Sequence, residues 1–487
     1  MNAYKSHIVR LLLMALTVLP ALTSCYDYGE EVEVLQGAGS VNYIKLNISV
    51  RTSNTITRGV PLGGENGDGL EAGFVRENAV DGVTLILYRS DDGINAPGTT
   101  PIDFVRYYST TLESRANQGT TSATRFDEAV YTTGNRELEA KDGILINTKY
   151  HAIVVANTNL MGKFQKGSTL AEVRDFLVNG SMLYSGSGKM SDASHFIMAS
   201  EADCTIDFTN TTPTAYNEGK LYSFDNIYIE RLAARIDFWA EGSNGYKSKD
   251  KNDVDYPYPG YEYNVGETTD RFVLVNVVPF NVSKGNEYLI KRTDHATAPY
   301  LVAETTSNWV VDPYTSNKNV STYPTYMQST LASIVSSSAF SSLPYNVSMA
   351  AQQLPNTDRY QISGADNMIL GYTSENTLNA SSFLYYNATG LAFEGYYYVD
   401  GDATRGERCV YYHYLRHQGE SDAAYQALQA SELSTSATCG STIPMNFGIV
   451  RNNLYRVSVS GINSKTNLTI KIKVKKWDPF THEVIYM

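Results

Sequence analysis

The sequence predicts a mainly β protein of two β-sandwich-like domains with a few short helices. Two observations carry this expectation. The 37 tyrosines outnumber the 16 phenylalanines, and threonine, serine, asparagine and glycine are frequent, a composition that suits strands and turns rather than helices. Short apolar or alternating runs also recur along the chain, each bounded by polar turn residues. With a leader set aside, roughly 430–460 residues remain, enough for two proper cores.

The leader comes first. Lys5, His7 and Arg10 form a basic start, and Leu11–Leu22 is an apolar stretch. It is too short for a hydrocarbon core of about 30 Å, which needs about 20 residues. Leu22-Thr23-Ser24-Cys25 then fits the box at which bacterial lipoproteins are cut and acylated. Residues 1–24 are therefore expected to be a signal peptide. Cys25 is expected to carry the lipid, which anchors a chain to a membrane without spanning it.

Val41–Val50 follows. Ile44, Leu46, Ile48 and Val50 alternate with Lys45, Asn47 and Ser49, the pattern of a strand with one buried face. Beyond it stand Arg58 and Gly59, then the run Gly63-Gly64-Glu65-Asn66-Gly67-Asp68-Gly69. Such a run packs poorly, and mobility is what a protease requires of its substrate. On composition alone, a strand, a long loop and a second strand with no cut is an equal alternative.

Further along, Val83–Tyr88, Ala152–Ala156, Ile227–Phe238, Phe272–Val278, Tyr455–Val459 and Leu468–Val474 read as strands. Thr169-Leu170-Ala171-Glu172 fits a capping box, with Leu170, Val173 and Leu177 at helical spacing. Ser421–Ser431 is a weaker helix candidate. Glu241–Glu267, with its Gly-Ser-Asn-Gly, its charged run Lys247–Asp255 and two prolines, reads as a linker and places the domain boundary. Near the end, Leu468, Ile470, Ile472 and Val474 alternate with Thr469, Lys471, Lys473 and Lys475, a core strand with a lysine-rich outer face. Pro479 breaks the run after Trp477. Phe480, Val484 and Tyr486 then share one parity. A frayed tail or a last strand of its own sheet is the plainer alternative for this end.

The residues argue against several function classes. A net charge of −12 without clustered basic residues disfavours nucleic acid. Beyond Cys25 only Cys204, Cys409 and Cys439 remain, an odd set that makes no disulfide framework. Cys409 could pair with Cys439, which the sequence leaves open. His413 and His417 have the spacing of a helical zinc motif, but Tyr414 takes the place of its glutamate, and Val410–Leu415 reads as strand. Asp250–Asp255 resembles a calcium loop in charge only, since Val254 stands at a ligand position and the glycine is missing. No nucleophile elbow, P-loop or dinucleotide fingerprint precedes a suitable helix. No enzyme activity, metal or cofactor is expected. Tyr256–Tyr263, Tyr385-Tyr386 and Tyr396–Tyr398 could stack on sugar rings, which keeps a surface glycan-binding lipoprotein as a second class. Core and strand-edge tyrosine is the bland alternative.

A family resemblance shifts the balance. Val50–Arg58, with the sequence Val-Arg-Thr-Ser-Asn-Thr-Ile-Thr-Arg, resembles the segment ahead of the processing arginine in Bacteroidales fimbrillins, the subunits of type V pili. Asp81–Arg89 and His151–Thr158 are similar to early strands of that fold, and Ile229–Ile236 to the strand closing its first domain. Phe280–Gly285, Val310–Tyr314, Cys409–Tyr412 and Val450–Val457 resemble the short-fimbria stalk subunit, and Val474-Lys475-Lys476-Trp477 is family-like. The order of these loose motifs is the specific part.

The resemblance implies two transthyretin-like sandwiches and a mechanism. A lipidated propeptide, 25–58, would carry a removable first strand through Ile44, Leu46, Ile48 and Val50. An arginine-specific surface protease would cut between Arg58 and Gly59, and a strand from the next pilin would fill the vacated groove. An N-terminal β domain of 59–245, a linker of 246–267 and a C-terminal domain of 268–487 would follow. The tail carrying Phe480, Val484 and Tyr486 would be the donor. The implied role is a fimbrial subunit supporting adhesion, held at the outer membrane by its lipid and then part of an extracellular fimbrium. A tip or adhesin subunit of the same pilus is the alternative. Its partners would be copies of itself or related pilins, with an unspecified host or bacterial ligand.

Overall fold

The structure is a computed structural model that describes residues 43–52, 70–72, 75–118, 126–139, 142–145, 147–179, 183–185, 193–209, 219–283, 286–301, 310–314, 327–343, 347–349, 359–362, 365–378, 387–417, 424–433 and 447–478. All of these belong to one unit, residues 41–487. The protein is mainly β. Among the described residues the α-helices are α1 (Leu170–Arg174) and α2 (Leu331–Val335), and no helix is long and apolar enough to cross a membrane.

The first half forms β1 (Tyr43–Arg51), β2 (Gly82–Tyr88), β3 (Ile102–Ser109), β4 (Thr111–Gln118), β5 (Phe126–Thr132), β6 (Arg136–Glu139), β7 (Lys149–Ala156), β8 (Met198–Ser200), β9 (Cys204–Asp207) and β10 (Leu221–Arg231). They make one sheet in the order β3-β2-β7-β8-β10-β1-β5-β4, with β9 beside β7 and β6 beside β1. Thr110 alone separates β3 from β4, so the two ends of that order are nearly continuous in the chain. β2 is buried along its whole length, and its one polar side chain within the apolar run, Thr84, donates its hydroxyl to the Thr158 carbonyl at 2.6 Å.

The capping box at α1 is formed. The Thr169 hydroxyl accepts from the Glu172 amide at 3.3 Å, and the Glu172 carboxylate accepts from the Thr169 amide at 2.6 Å. The helix is shorter than its spacing suggested. It ends at Arg174, whose guanidinium lies 4.5 Å over the Tyr300 ring and donates to the Ala96 carbonyl at 2.6 Å. Leu177 is instead in a short strand, Leu177–Asn179, paired with Asn286–Tyr288.

The second half forms β11 (Ala234–Trp239), β12 (Tyr246–Lys249), β13 (Asp255–Asn264), β14 (Arg271–Phe280), β15 (Ala365–Thr373), β16 (Gly390–Tyr398), β17 (Gly406–Tyr414), β18 (Asn453–Ser464) and β19 (Asn467–Asp478). One sheet runs β19-β18-β11-β15 and another β12-β13-β14-β16-β17. Their facing sides share a core that includes Ile236, Phe238, Tyr263, Phe272, Phe393 and Ile470. The alternation read at the end of the chain is realised, with Leu468, Ile470 and Ile472 buried in β19.

Three segments differ from expectation. The run Ile227–Phe238 is two strands in two sheets, and membership of the buried cores changes between Ala233 and Ala234. The expected linker, 246–267, is the β12–β13 hairpin. Tyr261 and Tyr263 point inward and are buried, while Asp250 ties the turn by accepting from Asn252 and Val254 amides at 2.8 and 2.9 Å and from the Ala403 amide at 3.1 Å. The charged run is therefore a turn and an outer strand face. In Ser421–Ser431, residues Ala424–Gln426 pair with Thr469–Lys471 of β19 and Ala430–Glu432 make one 3-10 turn. Pairing with the β19 edge overrides the weak helical pattern.

Where the two cores meet, charge is buried. The Glu77 carboxylate accepts from Arg235 Nη1 at 3.0 Å and bonds the Tyr372 hydroxyl, while Arg235 also donates to Asp237 at 2.9 and 3.0 Å. Arg231 donates through Nε to the Glu77 carbonyl and through Nη1 to Asn452 Oδ1, both at 3.1 Å. Nearby, Arg451 donates to Glu375 at 2.8 and 3.0 Å and faces Glu287 at 3.1 Å. Desolvation offsets much of the attraction in such pairs.

Candidate functional site

β1 is an interior strand of the first sheet. On one side it runs parallel to β10, from Lys45 beside Leu221 to Arg51 beside Tyr228. On the other it is antiparallel to β6, with Tyr43 opposite Glu139 and Leu46 opposite Arg136, and then to β5, with Ser49 opposite Thr132. The break between β6 and β5 is bridged by Thr133. Its amide donates to the Ile48 carbonyl at 3.0 Å, and its hydroxyl accepts from the Ile48 amide at 3.0 Å. The Thr132 hydroxyl donates to Asn47 Oδ1 at 2.5 Å.

Alternation decides which side chains fill the space beneath. Ile44, Leu46, Ile48 and Val50 are all 0% exposed, while Lys45 and Asn47 are half-buried. A register shift between Ile48 and Val50 also buries Ser49. Burying one such apolar side chain stabilises by roughly 1.5–3 kcal/mol, so the four contribute roughly 6–12 kcal/mol. That is comparable with a whole domain's stability of about 5–15 kcal/mol. Loss of β1 would also strip hydrogen-bond partners from β10 on one side and from β5, β6 and Thr133 on the other.

Of the other residues singled out in the sequence, Cys25, Arg58, Gly59, Cys439, Phe480, Val484 and Tyr486 lie outside the described residues, as does Tyr385-Tyr386. Cys409 is a free thiol on β17, and burial pushes its pKa up. The structure therefore holds no bridge at Cys409. His413 is buried in β17, where burial and then the neighbouring Arg416 push its pKa down to about 3. His417 shares a 2.7 Å hydrogen bond with the Tyr455 hydroxyl. Among the described residues no group of three or more histidine, cysteine or acidic side chains is placed to hold a metal. Tyr256 and Tyr398 are buried, whereas Tyr258 is half exposed and stacked on Tyr396 at 4.2 Å.

Thr132 and Thr133 escaped sequence reasoning. A threonine in a polar stretch carries no local sign that its hydroxyl will complete another strand's ladder.

No protein-family model matches the chain, and no curated protein matches it. Solved structures do resemble it. One is a candidate cell adhesion protein from Parabacteroides distasonis, 13% identical over 90% of this chain and 98% of its own, with a TM-score of 0.41. Another is the tip fimbrial protein Mfa3 from Porphyromonas gingivalis, 10% identical over 89% of this chain and all of its own, with a TM-score of 0.38. A fimbrilin from the same organism is 14% identical over 90% of this chain and 99% of its own, with a TM-score of 0.37.

Proposed function

We propose that the chain is a structural subunit of a surface fimbria. It is exported as a lipoprotein precursor acylated at Cys25, cut between Arg58 and Gly59, and polymerised by donor-strand exchange in support of adhesion. The observation that carries this reading is β1: an interior strand with four wholly buried apolar side chains, ahead of the arginine in sequence. A groove of that depth cannot stay empty, and strand addition from a neighbour is its natural repair. Donor and acceptor surfaces differ, so the contact propagates into an open filament.

Two rival arginines support the choice of Arg58. Arg51 lies inside β1, with its backbone paired to Tyr228 and Val130. Arg76 lies in the one-turn helix Val75–Asn78, beside the buried Glu77 and Asn78. Either would have to leave its partners before it could extend through a protease cleft. The role proposed is binding and assembly rather than catalysis. Its partners are other pilins, an arginine-specific protease and, in the precursor, the outer-membrane lipid. The tail bearing Phe480, Val484 and Tyr486 is the proposed donor.

Mass spectrometry of the mature N-terminus on intact cells tests the reading. A chain beginning at Gly59 without lipid is expected. A chain that keeps its acylated Cys25 and β1 at the surface would refute it in favour of a retained lipoprotein.

A further inference from the structure

The end of β19 has a second fastening. β18 pairs with β19 along its length, with Asn453 opposite Lys476. On the outer edge a short strand, Leu70–Ala72, runs parallel to Lys476–Asp478, with Leu70 beside Lys476 and Ala72 beside Asp478. Ala424–Gln426 covers the same edge at Thr469–Lys471. Lys476 therefore has strand partners on both sides, while Trp477 and Asp478, beyond the reach of β18, pair with Glu71 and Ala72 of the short strand.

Leu70–Ala72 is itself tied to the same place. Five residues beyond Ala72, Glu77 is wholly buried, with its carboxylate on Arg235 at 3.0 Å and its carbonyl accepting from Arg231 at 3.1 Å. Arg231 also donates to Asn452 at 3.1 Å, and the Asn452 amide donates to the Ala233 carbonyl at 2.9 Å. Asn453, the next residue, opposes Lys476. With the chain connection from Ala72 to Glu77, these contacts form a ring through Arg231, Asn452, Asn453 and Lys476 back to the short strand.

We propose that Leu70–Ala72 is a strap that fastens the end of β19 and holds the root of the C-terminal tail under load. The fastening is a property of the folded chain; its loading rests on the fimbrial reading. A strand end held on one side peels bond by bond. Here the short strand pairs the two residues beyond the β18 ladder and overlaps that ladder at Lys476, so a pull on the tail meets the strap before it reaches β18. Because Leu70–Ala72 follows Arg58 and precedes Glu77, it stays with the subunit after the proposed cut.

Hydrogen exchange on the full chain tests the strap. In the wild-type chain the amides of Lys476–Asp478 should be protected. With Leu70→Pro, Glu71→Pro and Ala72→Pro together they should exchange roughly tenfold faster or more, while Tyr455–Val459 of β18 stay unchanged. Exchange in the wild-type chain as fast as in an unstructured peptide overturns the strap, whether or not the triple variant folds. So does an unchanged rate in a folded variant, with Glu71→Pro alone as the milder check. Pulling on wild-type and variant filaments then tests the load, with breakage at lower force expected in the variant. Equal force overturns the load-bearing role. If the wild-type chain makes no filaments, the fimbrial reading fails while the exchange rates still decide the strap.

Discussion

Thr133 supplies both halves of the hydrogen bonding that the interrupted ladder denies Ile48. Thr133→Val keeps the shape and removes the acceptor, leaving a buried amide unpaired. The folded chain should lose about 1–3 kcal/mol in a urea titration, and Thr133→Ser should lose distinctly less. Equal losses would show that packing, not the hydroxyl, matters there. Glu287 makes a second residue-scale case. Burial, and then Glu375, push its carboxyl well above the ordinary glutamate value of 4.5, against the opposing pull of Arg451. Glu230 acts on the same Arg451, and Lys291 lies 3.7 Å from Glu230. A folded value raised above the unfolded one gives stability that is complete below 4.5 and is lost as pH rises through the folded value. The wild-type chain should therefore weaken across that window. Glu287→Gln, which keeps an acceptor for the Glu375 amide, should hold a flatter profile in thermal melts from acid to neutral pH. Parallel profiles would contradict the assignment.

Among the elements, β1 combines a readable pattern with a measurable cost. Ile48→Ala should destabilise the folded chain by about 2–5 kcal/mol, as other buried truncations do. Lys45→Gln, on the opposite parity, should stay within about 0.5 kcal/mol. Denaturant unfolding of the two variants would expose a wrong register if the larger loss fell on Lys45. The proposed donor tail makes a matching parity claim. Val484→Asp would place a charge in an apolar groove and should reduce filament yield in electron micrographs of cells, while Glu483→Gln should leave yield near wild type. If both behave alike, the tail does not enter a groove by alternate side chains.

For the whole molecule, the central expectation is that the first cut controls assembly. Arg58→Ala should leave a monomeric precursor that keeps its lipid and β1. Detergent partitioning and size-exclusion chromatography would show it, and normal filaments with an unchanged N-terminus would rule Arg58 out. Buried ion pairs lie where the two cores meet. Removing one partner from a buried ion pair commonly costs about 3–5 kcal/mol, which makes sliding at that junction unfavourable.

The sequence by itself determined the mainly β class, the buried parity of β1 and β19, and the cap of α1. The class is written in composition and the other two in residues two to four positions apart, so local information suffices. Only the tertiary structure decided the rest. It placed β1 between β10 and β5, turned 246–267 into a hairpin, and split Ile227–Phe238 across two sheets. It also set Thr133 against Ile48, eighty-five positions away in the chain, and closed Glu77, Arg231 and Arg235 into one buried cluster. Strand partners so distant leave no periodic trace. A charged residue bound for burial looks, in sequence, like any charged residue on a surface, because its compensating partner lies elsewhere in the chain.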